Sequence, residues 1–418
     1  MISERKTVIA REPFDPGVRH RNRRAGLWRR VFKAATAVGI VFLAALLVSI
    51  VNDAFGYVAI ENSIDPAALS PDGTPLAALP KDVLTQILAA NVSKGLFRRF
   101  EHDHPFEDRT QEDVHGLVPE HVVEPKIVAQ WTLWDSLTRQ RAIAEDVATR
   151  YPDAELRFET WLDVAFITSP QSADAARAGV RTAILGSLWT IAIAIVIAFP
   201  LGVGAAIYLQ EYATENAINR VIQTNITNLA GVPSIIYGML GLAVFVRALQ
   251  PLTSGALFGL ADPTTANGRT ILSAGMTLAL LILPLIIINA QEAIKAVPNS
   301  LREASFGLGA TRWQTIWHHV LPSAMPGILT GTILSISRAV GETAPLVVVG
   351  ASTYITMDPS GPFSKFTTLP IQIYQWTARP QSVFRNIAAA AIVVLLGLLL
   401  SLNAAAILLR NRFSKRAL

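Results

Sequence analysis

Six apolar runs, at about 34–51, 183–209, 226–246, 271–290, 326–350 and 387–409, approach or exceed the length of a membrane crossing, which takes roughly 20 helical residues. Inside lipid each backbone N–H and C=O must be satisfied by the chain itself, so runs this long and unbroken are read as α-helices. Composition agrees, since 51% of the 418 residues are hydrophobic and 16% are charged, against about 25% charged in soluble domains. The sequence therefore predicts an all-α integral membrane protein with six transmembrane helices. It contains no cysteine, which excludes a disulfide framework and thiolate chemistry.

Basic residues orient the spans. Residues 1–33 hold ten Lys/Arg (Arg5, Lys6, Arg11, Arg19, Arg21, Arg23, Arg24, Arg29, Arg30, Lys33) against three acids, and the far end reads RNRFSKR. Both termini are expected in the cytoplasm, a parity that six spans satisfy. The first run is longer than the ~7–15 residues of a signal-peptide core, and the basic region before it is long, so it is expected to remain as an anchor. In that orientation 52–182 and the segments near 247–270 and 351–386 lie outside, while 210–225 and 291–325 lie inside.

The expected division is a basic cytoplasmic tail (1–33), an anchor helix (34–54), an acidic extracytoplasmic insert (55–165) and a membrane domain of five further helices (166–418). Residues 55–170 carry nineteen Asp/Glu and ten Lys/Arg, a net of −9, whereas the whole chain is +5. Helical spacing in 79–100 puts Val83, Ile87, Leu88 and Val92 on one side, and a second helix is expected near 126–150, giving a small mixed or helical domain. Trp161 to Ile167 is expected along the membrane interface, where Trp is favoured.

Four histidines, His102, His104, His115 and His121, fall in the insert among Asp103, Asp108 and Asp113. An HxH beside carboxylates could ligate zinc, but the spacing matches no zinc pattern, and a solvated polar loop is the preferred reading. No metal and no cofactor is expected. Net negative charge repels anions at long range, so the insert reads as a docking or assembly surface for an external protein.

Inside the fifth run, Arg338 and Glu342 stand four apart and share a helix face. An ionised side chain at mid-membrane costs roughly 2.5 to 3.5 kcal/mol, so such residues pair, face a protein interior and line a path for an ion or polar solute. The competing reading is an ion pair that only joins helices. At ~1.5 Å per residue Arg338 lies roughly 18 Å and Glu342 roughly 24 Å along the helix from Pro326, which puts Arg338 near the middle of a ~30 Å core and Glu342 about one turn further out. Four of the last five spans contain a proline, Pro200, Pro233, Pro284 or Pro345. Each removes a backbone donor, and discontinuous helices are a recurrent way to build a solute site near the midplane.

Between the fourth and fifth spans, Glu303-Ala304-Ser305, then Gly309, then Leu321-Pro322 have the spacing EAA-x3-G-x9-I-x-L-P. This segment resembles the permease subunits of bacterial ABC importers. Ser305 replaces the usual Ala, and His319 stands where an Ile-like residue is usual. Leu301, Ala304, Ser305 and Leu308 form a narrow face at helical spacing, and Gly309 supplies a bend. Such a unit can dock in a groove of a soluble partner. Around the charged pair, SRAVGETAPLVV (Ser337 to Val348), with NLAGVPSIIYGMLGL and GSLWTIAIAIVIAFPLGVGAAIYLQEYA, is similar to the phosphate permeases of the PstA type over about 160–410.

That resemblance implies a non-enzymatic permease subunit of an inorganic phosphate importer in the inner membrane. It also implies a PstC-type permease partner, two separate ATPase subunits and an extracytoplasmic phosphate-binding protein. No G-x-x-x-x-G-K-[ST] loop is present, so nucleotide binding is expected elsewhere. Arg338 and Glu342 would line the substrate pathway, while Glu303, Ala304, Ser305, Gly309, Leu321 and Pro322 would couple to the ATPase. Lipid is the other expected contact, and nucleic acid is not. The alternatives are a permease for another oxyanion (phosphonate, sulfate or molybdate) and a membrane-anchored sensor with an external binding domain.

Overall fold

The computed structural model describes residues 16–70, 74–103, 105–123, 125–172, 175–260, 267–351, 354–355 and 357–414. Arg5, Lys6, Arg11, His104, Lys415 and Arg416 lie outside the described residues. The chain divides between Ile50 and Val51. The first unit is, among the described residues, helix α1 (Pro16–Ala54) as far as Ile50, and it contains the first apolar run.

In the second unit β1 (Phe55–Asn62) follows α1 without a loop and is the centre of a three-stranded antiparallel sheet. Long-range pairing, with Val58 opposite Gln130 and Arg157, overrides local helical propensity in the flanking segments. The helix expected near 126–150 is accordingly a strand, β2 (Pro125–Gln130), followed by two helices. Between β1 and β2 lies a helical lobe of α2 (Lys81–Asn91), α3 (Lys94–Asp103) and α4 (Gln111–Val118), with Leu84, Leu88, Val114 and Val118 fully buried. The single helix expected over 79–100 breaks where Val92 turns extended; Ile87 and Leu88 are buried as expected, Val83 and Val92 pack partly buried against the same core, and Leu84 joins them fully buried.

Where described, the histidines stand in helical segments, His102 in α3, His115 in α4 and His121 in the turn after it, while 105–110 is a non-helical connection. The side chain of Thr110 accepts from the Asp113 N–H and Asp113 accepts in return, a capping box that starts α4. His121 lies tilted against Phe100 with centroids 4.9 Å apart. Among the described residues no three His, Asp or Glu side chains are gathered as a metal site. After β2 come α5 (Leu133–Thr138) and α6 (Gln140–Arg150), which packs Ile143 and Val147 on Ala59, then β3 (Glu155–Thr160) and α7 (Val164–Thr168). Trp161 is 6% exposed, so it is a core residue and does not face the membrane interface as expected.

The membrane part is all helical. It comprises α8 (Arg181–Ile207), α9 (Ala217–Ala230), α10 (Ser234–Gly241), α11 (Gln250–Thr253), α12 (Ile271–Lys295), α13 (Asn299–Gly307), α14 (Arg312–Thr315), α15 (Leu321–Val340), α16 (Ala344–Val349), α17 (Leu369–Thr377) and α18 (Val383–Ser414). Five helices are long and apolar enough to span, and α9 with the helix from Ser234 to Ala248 makes a sixth crossing if the pair, bent by 107°, counts as one. The apolar window of α12 is 67% buried against 0% for α18, which puts α12 at the centre. Leu278, Ile282 and Ile286 there meet Ala194 and Ala198 of α8, Tyr237 of α10 and Leu346 of α16. A capping box from Thr270 to Ser273 starts α12, and the Thr270 hydroxyl also donates to the Thr253 carbonyl at 2.8 Å.

Candidate functional site

Two of the four prolines stand at the helix breaks expected of them, and two do not. Pro200 and Pro284 lie inside α8 and α12, but Pro233 precedes the first residue of α10 and Pro345 sits in the first turn of α16. A fixed φ and a missing N–H suit a helix start. Each break therefore ends one helix and begins another, with a bend of 107° at the Pro233 break. The apolar run 326–350 is not one helix: a helix running from Arg312 ends at Val340, and Gly341 to Thr343 form a break before α16. Arg338 lies in the last turn of α15 and Glu342 in the break, so the rise counted along a single straight helix does not extend to Glu342.

The two breaks belong to packed elements. A Cβ on Gly238 would stand 2.7 Å from Pro345 Cα, so α10 and α16 approach to a separation only glycine permits. One residue earlier, the buried Tyr237 hydroxyl donates to the Leu229 carbonyl at 2.7 Å, an acceptor in the last turn of α9 that also takes the Val232 N–H at 3.1 Å.

Arg338 and Glu342 meet despite the break, with Arg338 Nε donating to Glu342 Oε1 at 3.3 Å. The contact uses one N–H of the guanidinium, and among the described residues Glu342 is its only hydrogen-bonding partner. Glu342 is 17% exposed and Arg338 46%, so the acid is sheltered and the cation open. Next to it the Ser337 hydroxyl donates to Asn403 Oδ1 at 2.7 Å, tying α15 to α18. Nothing in the sequence pattern marked Asn403, a polar residue in an otherwise apolar run.

At the other end of α12 the EAS segment forms a compact helical corner. Its expected narrow face is divided: Ser305 is buried with its hydroxyl 2.9 Å from that of Thr315, Leu301 is half-buried, and Ala304 and Leu308 are exposed, Leu308 by 91%. Serine in place of alanine thus bridges α13 to α14. Gly309 has φ +82, a left-handed value that side chains resist, and makes the corner. Glu303 and Pro322 are exposed, Leu321 is half-buried and His319 points outward. Phe306, Trp313 and Trp317 are about half exposed, and the two tryptophans stack at 5.4 Å.

The residue that fixes this corner escaped the sequence reading. Arg302 Nη2 donates to Glu211 Oε1 at 2.8 Å and to the Ile294 carbonyl at 3.0 Å, and Nη1 donates to the Val297 carbonyl at 2.7 Å. The side chains of Arg302 and Glu211 are 16% and 10% exposed. One guanidinium thus joins the end of the α8 segment to the carbonyls that terminate α12. The partners are 91 residues apart, and no local pattern pairs them.

Membrane-length helices with two apposed breaks, a half-open ion pair at one of them and an exposed amphipathic corner between two spans define a helical multi-pass membrane protein. The family of binding-protein-dependent transport system inner membrane components matches residues 198–416, just over half of the sequence, and the chain belongs to it. It is 37% identical over 240 residues, 57% of this chain and 72% of the relative, to the phosphate transport system permease protein PstA 1 of Mycobacterium tuberculosis (strain CDC 1551 / Oshkosh). It is 35% identical over 216 residues, 51% of this chain and 67% of the relative, to the probable ABC transporter permease protein YqgI of Bacillus subtilis (strain 168). An inward-facing structure of the MetNI methionine ABC transporter aligns with 56% of this chain and 96% of its own at a TM-score of 0.40 and 20% identity. The protein is a multi-pass membrane component of a binding-protein-dependent transport system.

Proposed function

We propose that this permease carries inorganic phosphate inward, driven by separate ATPase subunits that engage the α13–α14 corner. In this reading a PstC-type permease completes the path, and a phosphate-binding protein delivers substrate on the side of the acidic segment. The basic first 33 residues and both termini then lie in the cytoplasm. The observation that carries the reading is the open guanidinium of Arg338 at the apposed helix breaks. Four of its N–H groups remain for an oxyanion, and a planar fork suits two phosphate oxygens better than a lysine point charge does. Similarity to a phosphate transport permease supports phosphate over other oxyanions.

Glu342 holds Arg338 when the path is empty, so that no unpaired charge sits in low dielectric. The test is uptake of labelled phosphate by cells or vesicles expressing variants at equal membrane abundance. A charge-assisted hydrogen bond is worth ~1.5–3 kcal/mol, so Arg338→Lys and Arg338→Gln should each lower uptake about 10- to 100-fold. Glu342→Gln should also impair it by leaving the cation unpaired. The double variant Arg338→Gln/Glu342→Gln should regain the stability of the wild type without its uptake. Near wild-type transport by the double variant would make the pair structural, and sulfate or molybdate competing as well as phosphate would assign a different oxyanion.

A further inference from the structure

Short helices α5 and α7 each present an apolar pair that the protein leaves uncovered. Trp134 and Leu137 are 69% and 71% exposed, and Val164 and Ile167 are 77% and 43% exposed. Both pairs are spaced three residues apart, so each forms a single outward stripe on its helix. Elsewhere among the described residues of the acidic segment Phe158, 42% exposed, stands singly, and most other large apolar side chains pack in its two small cores.

Their height is set by the ends of three spans. The apolar run of α1 stops at Val51, and the next residue, Asn52, accepts the Trp134 N–H on Oδ1 at 2.8 Å. The α7 helix is tied to the start of α8 in two places, by the Val180 N–H to the Phe166 carbonyl at 2.9 Å and by Arg181 Nη1 to the Thr168 carbonyl at 2.7 Å. Arg385, at the start of α18, reaches Asp53 at 3.8 Å, which places the end of a third span at this level. The first polar residues beyond a hydrocarbon run mark the headgroup zone, where Trp is favoured. Arg139 and Arg141, both exposed, follow α5 directly although the surrounding segment is acidic. Arginines of this kind lay their stems on apolar surface and their heads among phosphates.

We infer that α5 and α7 are lipid-surface anchors, which seat Trp134, Leu137, Val164 and Ile167 in the headgroup region of the leaflet beside the acidic segment and hold its sheet fixed against the spans. Of the 161–167 segment expected at the interface it keeps Val164 and Ile167, leaves out the buried Trp161 and adds α5, and it does not depend on the transported solute. A protein partner would have no reason to meet both stripes at the height of three span ends, whereas a bilayer meets all of them.

Because the chain has no cysteine, single nitroxide labels can be attached at Trp134→Cys, Leu137→Cys, Val164→Cys and Ile167→Cys, with Ala148→Cys on the exposed side of α6 as the aqueous reference. The full-length chain, purified with its associated subunits, is reconstituted in phosphatidylcholine–phosphatidylglycerol vesicles. Relaxation by oxygen is compared with relaxation by a water-soluble nickel chelate. All four labels should retain oxygen relaxation and lose nickel relaxation, while the label at position 148 keeps both. Nickel relaxation at either helix equal to that at position 148 would overturn the inference, as would shielding from both reagents, the signature of a protein partner covering the stripe. The four side chains are outside the cores, so their replacement leaves folding intact, and extraction at wild-type abundance checks this.

Discussion

At the scale of single residues, long-range polar pairs hold the positions on which the helices depend. Arg302 is the clearest case, because its removal leaves the sheltered Glu211 carboxylate without its cation and takes a side-chain donor from the Val297 and Ile294 carbonyls. Truncating one member of a buried pair costs about 3 to 5 kcal/mol, so Arg302→Ala should lower the thermal unfolding midpoint of the purified protein and open 296–311 to protease. Adding Glu211→Gln should return part of that loss, since the orphan charge is then gone. Glu159 is the opposite case. Burial raises its carboxyl above the ordinary carboxylate value and outweighs the nearby Arg157, 3.5 Å away. The folded state then binds this proton more tightly than the unfolded chain does, whose value is roughly 4.3. Stability from this group is full below the unfolded pKa and is lost as pH rises through the raised folded one. Glu159→Gln should therefore increase hydrogen-exchange protection of β3 over the wild type at pH 7 and leave it unchanged below about pH 4.

At the scale of elements, the α13–α14 corner shows how little of a motif's meaning is steric. A Cβ at Gly309 would meet nothing within 4 Å, so the demand for glycine comes from φ +82. A branched residue there costs roughly 1–2 kcal/mol, whereas asparagine visits this conformation readily. Gly309→Val should abolish ATP-driven uptake while the spans stay inserted, and Gly309→Asn should keep most of it. Leu308→Asp changes a side chain that supports nothing in this chain, yet it should release the ATPase subunit on purification. Retained ATPase with Leu308→Asp would move the docking surface elsewhere. The helix breaks at Pro233 and Pro345 were visible as prolines in apolar runs. Their consequence was not, because whether a proline kinks a helix or starts one depends on where the preceding helix ends.

At the scale of the whole molecule, the acidic segment is a sheet fused to α1 with a helical lobe that leaves and returns at one point, since the Ser63 N–H donates to the Val123 carbonyl at 2.8 Å. Replacing 65–122 by a short Gly-Ser linker should preserve the sheet, membrane abundance and permeability of the core. It should weaken association with an external partner, measured by co-purification. A cut spanning 75–155 would instead remove β2 and leave β1 paired with β3 alone. Membrane crossing, helical class, the charged pair and the family of the permease half were all legible in the sequence, because lipid imposes a local rule on each span and the EAS spacing is contiguous. The sheet, the Arg302–Glu211 joint, the Ser337–Asn403 tie and the apposition of the two breaks were decided only by tertiary structure. Each joins residues far apart in the chain, and hydrophobic periodicity records which face of an element is buried but not what it is buried against.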